Sequence, residues 1–161
     1  MSLSDTVNVY LHQSVSPFNT VDSTSTVLDS VTLKGMCFFS NAPTGKYYIE
    51  VRHRNALETW SRPGGDSLKK GGVTVYDFTT DSTKAFGDNQ TLVGTKYCLF
   101  SGDVVKDGSI DASDLIAVYN DAFNFATGYI NTDVTGDMIA DSDDITIVYN
   151  NSLQFVAVIR P

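Results

Sequence analysis

Eight aspartates in the last third of this chain recur at one spacing. Asp103, Asp107, Asp111 and Asp114 stand at positions 1, 5, 9 and 12 of a twelve-residue stretch, and Asp133, Asp137, Asp141 and Asp144 repeat the pattern thirty residues later. Carboxylates so placed suit a hard divalent cation. Calcium takes six to eight oxygens, and a loop of this length supplies them from positions 1, 3, 5, 7, 9 and 12, position 7 through its backbone carbonyl. By that rule the first loop offers Asp103, Asp107, the Ser109 carbonyl, Asp111 and Asp114. The second offers Asp133, Thr135, Asp137, the Ile139 carbonyl, Asp141 and Asp144. Two calcium ions are therefore the expected cofactors.

Each loop departs from the ideal in its own way. Val105 fills position 3 of the first loop and has no side-chain oxygen, although Gly108 sits at position 6, where the chain turns sharply. The second loop has the fuller ligand set but carries Met138 at that turn, where a left-handed side chain costs on the order of 1–2 kcal/mol. Affinities in the range of extracellular calcium modules, about 10⁻⁴–10⁻³ M, are expected.

A helix should leave each loop. After Asp114, the residues Leu115, Val118, Tyr119 and Ala122 fall on one helical face, and Ile145, Val148 and Tyr149 do the same after Asp144. No helical pattern leads into either loop, so each is half an EF-hand, loop plus exiting helix. The two helices are expected to pack face to face with Phe123, Phe125 and Phe155 between them.

The repeat extends beyond the acids. Val104, Val118, Tyr119, Asn120 and Phe125 recur as Val134, Val148, Tyr149, Asn150 and Phe155. The first loop reads Asp-Val-Val-Lys-Asp-Gly-Ser-Ile-Asp-Ala-Ser-Asp-Leu, and over residues 101–156 the chain resembles the tandem repeats of dockerins. That resemblance implies calcium-dependent folding, a place outside the cytoplasm or on the cell surface of a bacterium, and attachment to a cohesin-type protein or to an adjacent domain. It also implies that loop positions 10 and 11, Ala112-Ser113 and Ser142-Asp143, help select the partner.

Charge divides the chain. Residues 1–100 hold nine Lys/Arg against nine Asp/Glu, while residues 101–161 hold ten Asp against Lys106 and Arg160, so the whole net charge of −8 lies there. Such asymmetry marks a boundary near residue 101 and argues against nucleic acid as a partner. No stretch approaches the roughly 20 apolar residues of a membrane span. The opening Met-Ser-Leu-Ser-Asp lacks the basic and apolar regions of a signal peptide, as expected of the C-terminal part of a longer protein.

Residues 1–100 read as short strands separated by turns. Strand-like runs are Thr6–His12, Ser30–Ser40, Lys46–His53, Leu57–Ser61, Val73–Thr79 and Lys96–Phe100, with turn residues such as Arg-Pro-Gly-Gly-Asp between them. The expected fold is mostly β with a small α part. An antiparallel β-sandwich over 1–100 is followed by the duplicated calcium loop–helix module over 101–161. The run Gly-Lys-Tyr-Tyr-Ile-Glu-Val-Arg-His-Arg resembles the central strand of transthyretin-like surface sandwiches, which implies a non-catalytic accessory domain. Cys37 and Cys98 are either buried thiols or one inter-strand disulfide.

Nothing assembles a catalytic group. His12 and His53 sit in no nucleophile or metal motif, and a glycosidase would need the two glutamates, Glu50 and Glu58, across a cleft. The expected function is calcium-stabilised, non-catalytic binding or anchoring of a secreted or surface protein through protein–protein attachment. The alternative is a carbohydrate-binding module, with Trp60, Tyr47, Tyr48 and Tyr76 stacking on a polysaccharide and the calcium sites purely structural.

Overall fold

The computed structural model describes residues 5–161, which form two compact units that are not contiguous in sequence. One gathers 5–52, 58–98 and 159–161, and the other 53–57 and 99–158. In coarse outline the chain is mostly β, antiparallel throughout, with two helices.

The first unit is built on a five-stranded sheet. Its path runs β2 (Thr20–Leu28), β1 (Asp5–Gln13), β3 (Gly45–Arg52) and β4 (Thr59–Trp60), with β5 (Asp66–Leu68) also paired to β3. A second sheet is the hairpin of β6 (Thr91–Val93) and β7 (Lys96–Cys98). Strand alternation sends Val7, Val9 and Leu11 to one face beside Tyr47 and Ile49, Leu11 lying opposite Ile49 in register. Leu11, Ala42 and Tyr47 form the core there, with Val21, Phe39, Ile49 and Leu68 packed around them.

The opposite face buries polar groups. Glu50 is fully enclosed, and its Oε2 lies 2.5 Å from His12 Nε2 while Arg52 Nε donates to Oε1. His12 Nδ1 donates to the Phe18 carbonyl at 2.9 Å, since a carbonyl can only accept. The Trp60 ring lies 4.2 Å from the His12 ring, and Tyr48 meets Phe18, Trp60 and Phe86 edge-on. Glu58 continues the network, accepting from Trp60 Nε1 at 2.6 Å and from Arg160 Nε at 2.7 Å.

Several strand assignments need correction. Ser30–Ser40 and Val73–Thr79 form no strand, and Val31, Leu33, Val73 and Val75 are exposed rather than turned into a core. The strand that does pair along the whole of β1 is β2, a run rich in serine and threonine. It lies at the sheet edge, where one strand neighbour suffices and little apolar alternation is required. Cys37 and Cys98 are free thiols, and burial pushes both above their ordinary pKa.

The second unit holds helices α1 (Ala112–Phe123) and α2 (Ser142–Leu153), each leaving an acidic loop. Val118 and Val148, related by the repeat, are both fully buried in one core with Leu57, Val104, Ile110 and Val156. Gly102 packs into that core, since a Cβ on it would stand 3.1 Å from Ile110 and 3.2 Å from Val148.

Candidate metal centre

The two acidic loops have nearly the same backbone. Asp111 and Asp141 cap the helices, and each forms a reciprocal capping box with the aspartate three residues on. Asp114 is fully buried. Its Oδ1 accepts from the Val104 and Val105 amides at 2.8 and 3.0 Å, and its Oδ2 from the Asp111 amide at 3.0 Å. Asp144 repeats this arrangement with the Val134, Thr135 and Asp141 amides at 2.8, 2.9 and 2.9 Å. Asp107 and Asp137 each turn onto the amide two residues later, that of Ser109 or Ile139.

The middle of each loop is tied to the segment that follows the other loop's helix. Ser109 bridges Ala157, flanked by bonds from the Ile110 amide to the Val156 carbonyl and from the Val158 amide to the Gly108 carbonyl, both 2.8 Å. Ile139 bridges Thr127 in the same way, with the Ala140 amide on the Ala126 carbonyl at 2.9 Å and the Gly128 amide on the Met138 carbonyl at 2.8 Å. Each half of the repeat is therefore completed by the other.

Positions 4 and 6 of both loops have a positive φ, and each loop places one glycine there. In the first, Lys106 has φ 62° and Gly108 φ 88°; in the second, Gly136 has φ 81° and Met138 φ 75°. The strain at Met138 was legible in the sequence, and that at Lys106 was not. Met138→Gly is expected to raise stability by about 1 kcal/mol, a few degrees in melting temperature. Gly108→Ala should do the reverse, because its Cβ would also stand 3.1 Å from Val158 Cγ1. Thermal melts of the two variants check both signs.

Among the described residues, no three acidic, imidazole or thiol groups converge closely enough to form a metal cage. The carboxylates lie on backbone amides instead. One observation nonetheless fits a cation. Asp103, at position 1 of the first loop, is only 3% exposed, and its buried Oδ1 has no hydrogen-bond partner. Burial pushes its carboxyl above the ordinary value, with Asp114 and Asp107 adding to the effect against the opposing pull of Lys106 and the Gly108 amide. A buried anion with an unused oxygen and acidic neighbours is a place where a divalent ion would relieve both desolvation and repulsion. Asp103, Asp107, the Ser109 carbonyl, Asp111 and Asp114 are the groups that would hold it.

The helix faces differ from expectation. Phe123, Phe125 and Phe155 do not fill the space between the helices but are 73%, 85% and 90% exposed. Tyr119 and Tyr149 also point outward, as do Ile116 and Leu153. The core takes Val118 and Val148 with Leu115, Ala117 and Ile145 packed beside them, leaving a repeated apolar surface outside. Phe125 and Phe155 further have φ of 53° and 52°, each just past its helix end, where glycine is the ordinary occupant.

Elsewhere, of the four aromatics that could stack on a sugar, Trp60, Tyr47 and Tyr48 are buried and Tyr76 is half-buried. Glu50 and Glu58 are both bound to Arg52 rather than opposed across a cleft. No helix among the described residues is long and apolar enough to cross a membrane.

No protein-family model matches this chain, and no curated protein matches it. A similar solved structure is a chain of the type II cohesin–X–dockerin complex from Acetivibrio cellulolyticus, crystallised as a C-terminal interface mutant. The identity is 16%, the TM-score is 0.47, and the match covers 92% of this chain and 84% of that one.

Proposed function

We propose that residues 99–158 are a calcium-stabilised protein-attachment module of the dockerin kind, working outside the cell by binding a cohesin-type domain rather than by catalysis. The observation that carries this is the pair Phe125 and Phe155. Each is a large aromatic in a left-handed backbone conformation, almost wholly in water, at equivalent points of the repeat. Folding gains nothing from either choice and loses something from both, and such residues concentrate where function requires them. With Tyr119, Phe123 and Tyr149 they supply the aromatic anchors on which protein interfaces depend, and Leu153 adds an exposed aliphatic side chain. The loops' role in this reading is to fix the angle at which the two helices leave, with one calcium ion per loop.

The test separates binding from folding. Phe125→Gly with Phe155→Gly is expected to raise the melting temperature by relieving backbone strain, while weakening capture by immobilised cohesin-type domains at least tenfold. Calcium titration by calorimetry and capture in chelator belong beside it. Unchanged capture by the double variant, or capture indifferent to calcium, would overturn the reading.

A second reading has its own observation. Residues 53–57, which lie between β3 and β4 in sequence, belong to the helical unit, and Leu57 is fully buried in its core. The repeat then serves as a clamp on its own chain. Stability that depends on calcium, with no cohesin-type domain bound, is the outcome that favours it.

A further inference from the structure

The two loops treat their first aspartate differently. Asp133 is fully buried, as Asp103 nearly is, but its oxygens are occupied. Oδ1 accepts from the Gly136 amide at 2.7 Å, the Asp137 amide at 3.1 Å and Thr135 Oγ1 at 3.3 Å, and Oδ2 accepts from the Met138 amide at 3.2 Å. An arginine stands behind it. Arg54 Nη2 lies 3.6 Å from Asp133 Oδ2, its Nη1 donates to the Ile130 carbonyl, and its guanidinium carbon sits 4.3 Å over the Tyr129 ring. Asn55, the next residue, donates to the Asp133 carbonyl at 2.6 Å.

At Asp103 the neighbouring cation is Lys106, a flexible ammonium that also pulls on the carboxylate, and not a fixed guanidinium. Lys106 donates its Nζ to the Ala56 carbonyl at 2.7 Å, and Asp103 Oδ1 remains without a hydrogen-bond partner. A rigid guanidinium, fixed by a carbonyl, an aromatic face and a carboxylate, is a permanent positive charge beside the buried Asp133 carboxylate. Its side chain is only 12% exposed, so water screens the interaction little.

We propose that Arg54 is a built-in counter-cation for the second loop, so that the first loop takes calcium preferentially and calcium competes with the arginine at the second. The inference rests on the calcium reading above and assigns Arg54 as a positioning residue for Asp133.

The experiment is calorimetric titration of the full chain with calcium alone, with thermal melts in calcium and in chelator. The wild type is expected to show one dominant site, lost in Asp107→Asn and retained in Asp137→Asn. Arg54→Met keeps the stem and removes the charge. It should raise the affinity of the second loop at least tenfold, lower the melting temperature in chelator and recover it in calcium, whereas Arg54→Lys should resemble the wild type. Two equal sites in the wild type, unaltered by Arg54→Met, would overturn the proposal and leave the calcium reading standing. No calcium heat in any variant would overturn both. If Arg54→Met does not fold in chelator, the loop-specific variants decide, and loss of the dominant site in Asp137→Asn instead of Asp107→Asn counts against the proposal.

Discussion

Asp114→Ala is expected to unfold the first loop and lower the stability of its unit by about 3 kcal/mol or more. The carboxylate receives three backbone amides, those of Val104, Val105 and Asp111, and is itself fully buried. Alanine leaves those donors without an acceptor, at a cost of roughly 1–3 kcal/mol for each that water cannot reach. The Asp111 amide among them is the half of the α1 capping box that Asp114 supplies, so the helix start loosens with the loop. Against an overall stability of about 5–15 kcal/mol this is a large loss. Asp114→Asn separates hydrogen bonding from charge. Its amide oxygen can still accept from Val104 and Val105, but its NH₂ then faces the Asp111 amide, donor against donor, so an intermediate loss is expected. Urea denaturation of both variants, with Asp144→Ala and Asp144→Asn as the equivalent pair, measures the series. A midpoint for Asp114→Ala equal to that of the wild type would mean that the loop is not held by this carboxylate.

The second large effect lies in the sheet unit. Glu50→Ala removes a fully buried carboxylate from between the buried His12 and the half-exposed Arg52, and leaving the buried His12 nitrogen without its partner costs about 1–3 kcal/mol. The loss exceeds that of an ordinary surface pair because His12 cannot turn away. Its other nitrogen is committed to the Phe18 carbonyl, and Trp60 covers the ring. Glu50→Gln keeps the volume and one acceptor and should cost less than half as much. Guanidinium melts decide the matter: equal midpoints for Glu50→Ala and the wild type would show the cluster to be energetically idle. The bond between Arg160 and Glu58 is likewise half in solvent at its arginine end but involves no buried imidazole, and Arg160→Ala should change stability by less than about 1 kcal/mol.

Much of the second unit was legible in the sequence because its determinants are local. A capping aspartate acts on amides two and three residues away, and a helix face is set by neighbours three and four apart, so Asp111, Asp114, Asp141 and Asp144 announce two loop–helix junctions without reference to the rest of the chain. The strained Met138 was visible for the same reason. In the sheet unit, β1 and β3 were apparent from their β-branched and aromatic residues. The polar β2 was not, because a strand at an edge is defined by the register of its neighbour and not by its own pattern. The alternation in Ser30–Ser40 was genuine in sequence but met no partner strand.

The sequence by itself determined the duplication and the acidic character of residues 101–161. Tertiary structure alone decided that Phe123, Phe125 and Phe155 face water, since a helix has more than one apolar direction and the core takes the one that carries Leu115, Val118, Ile145 and Val148. It also decided that Arg54 neutralises Asp133. These residues are separated by most of a domain in sequence, and a contact of that range exists only once the chain has folded to bring a charge from one loop against the buried carboxylate of another.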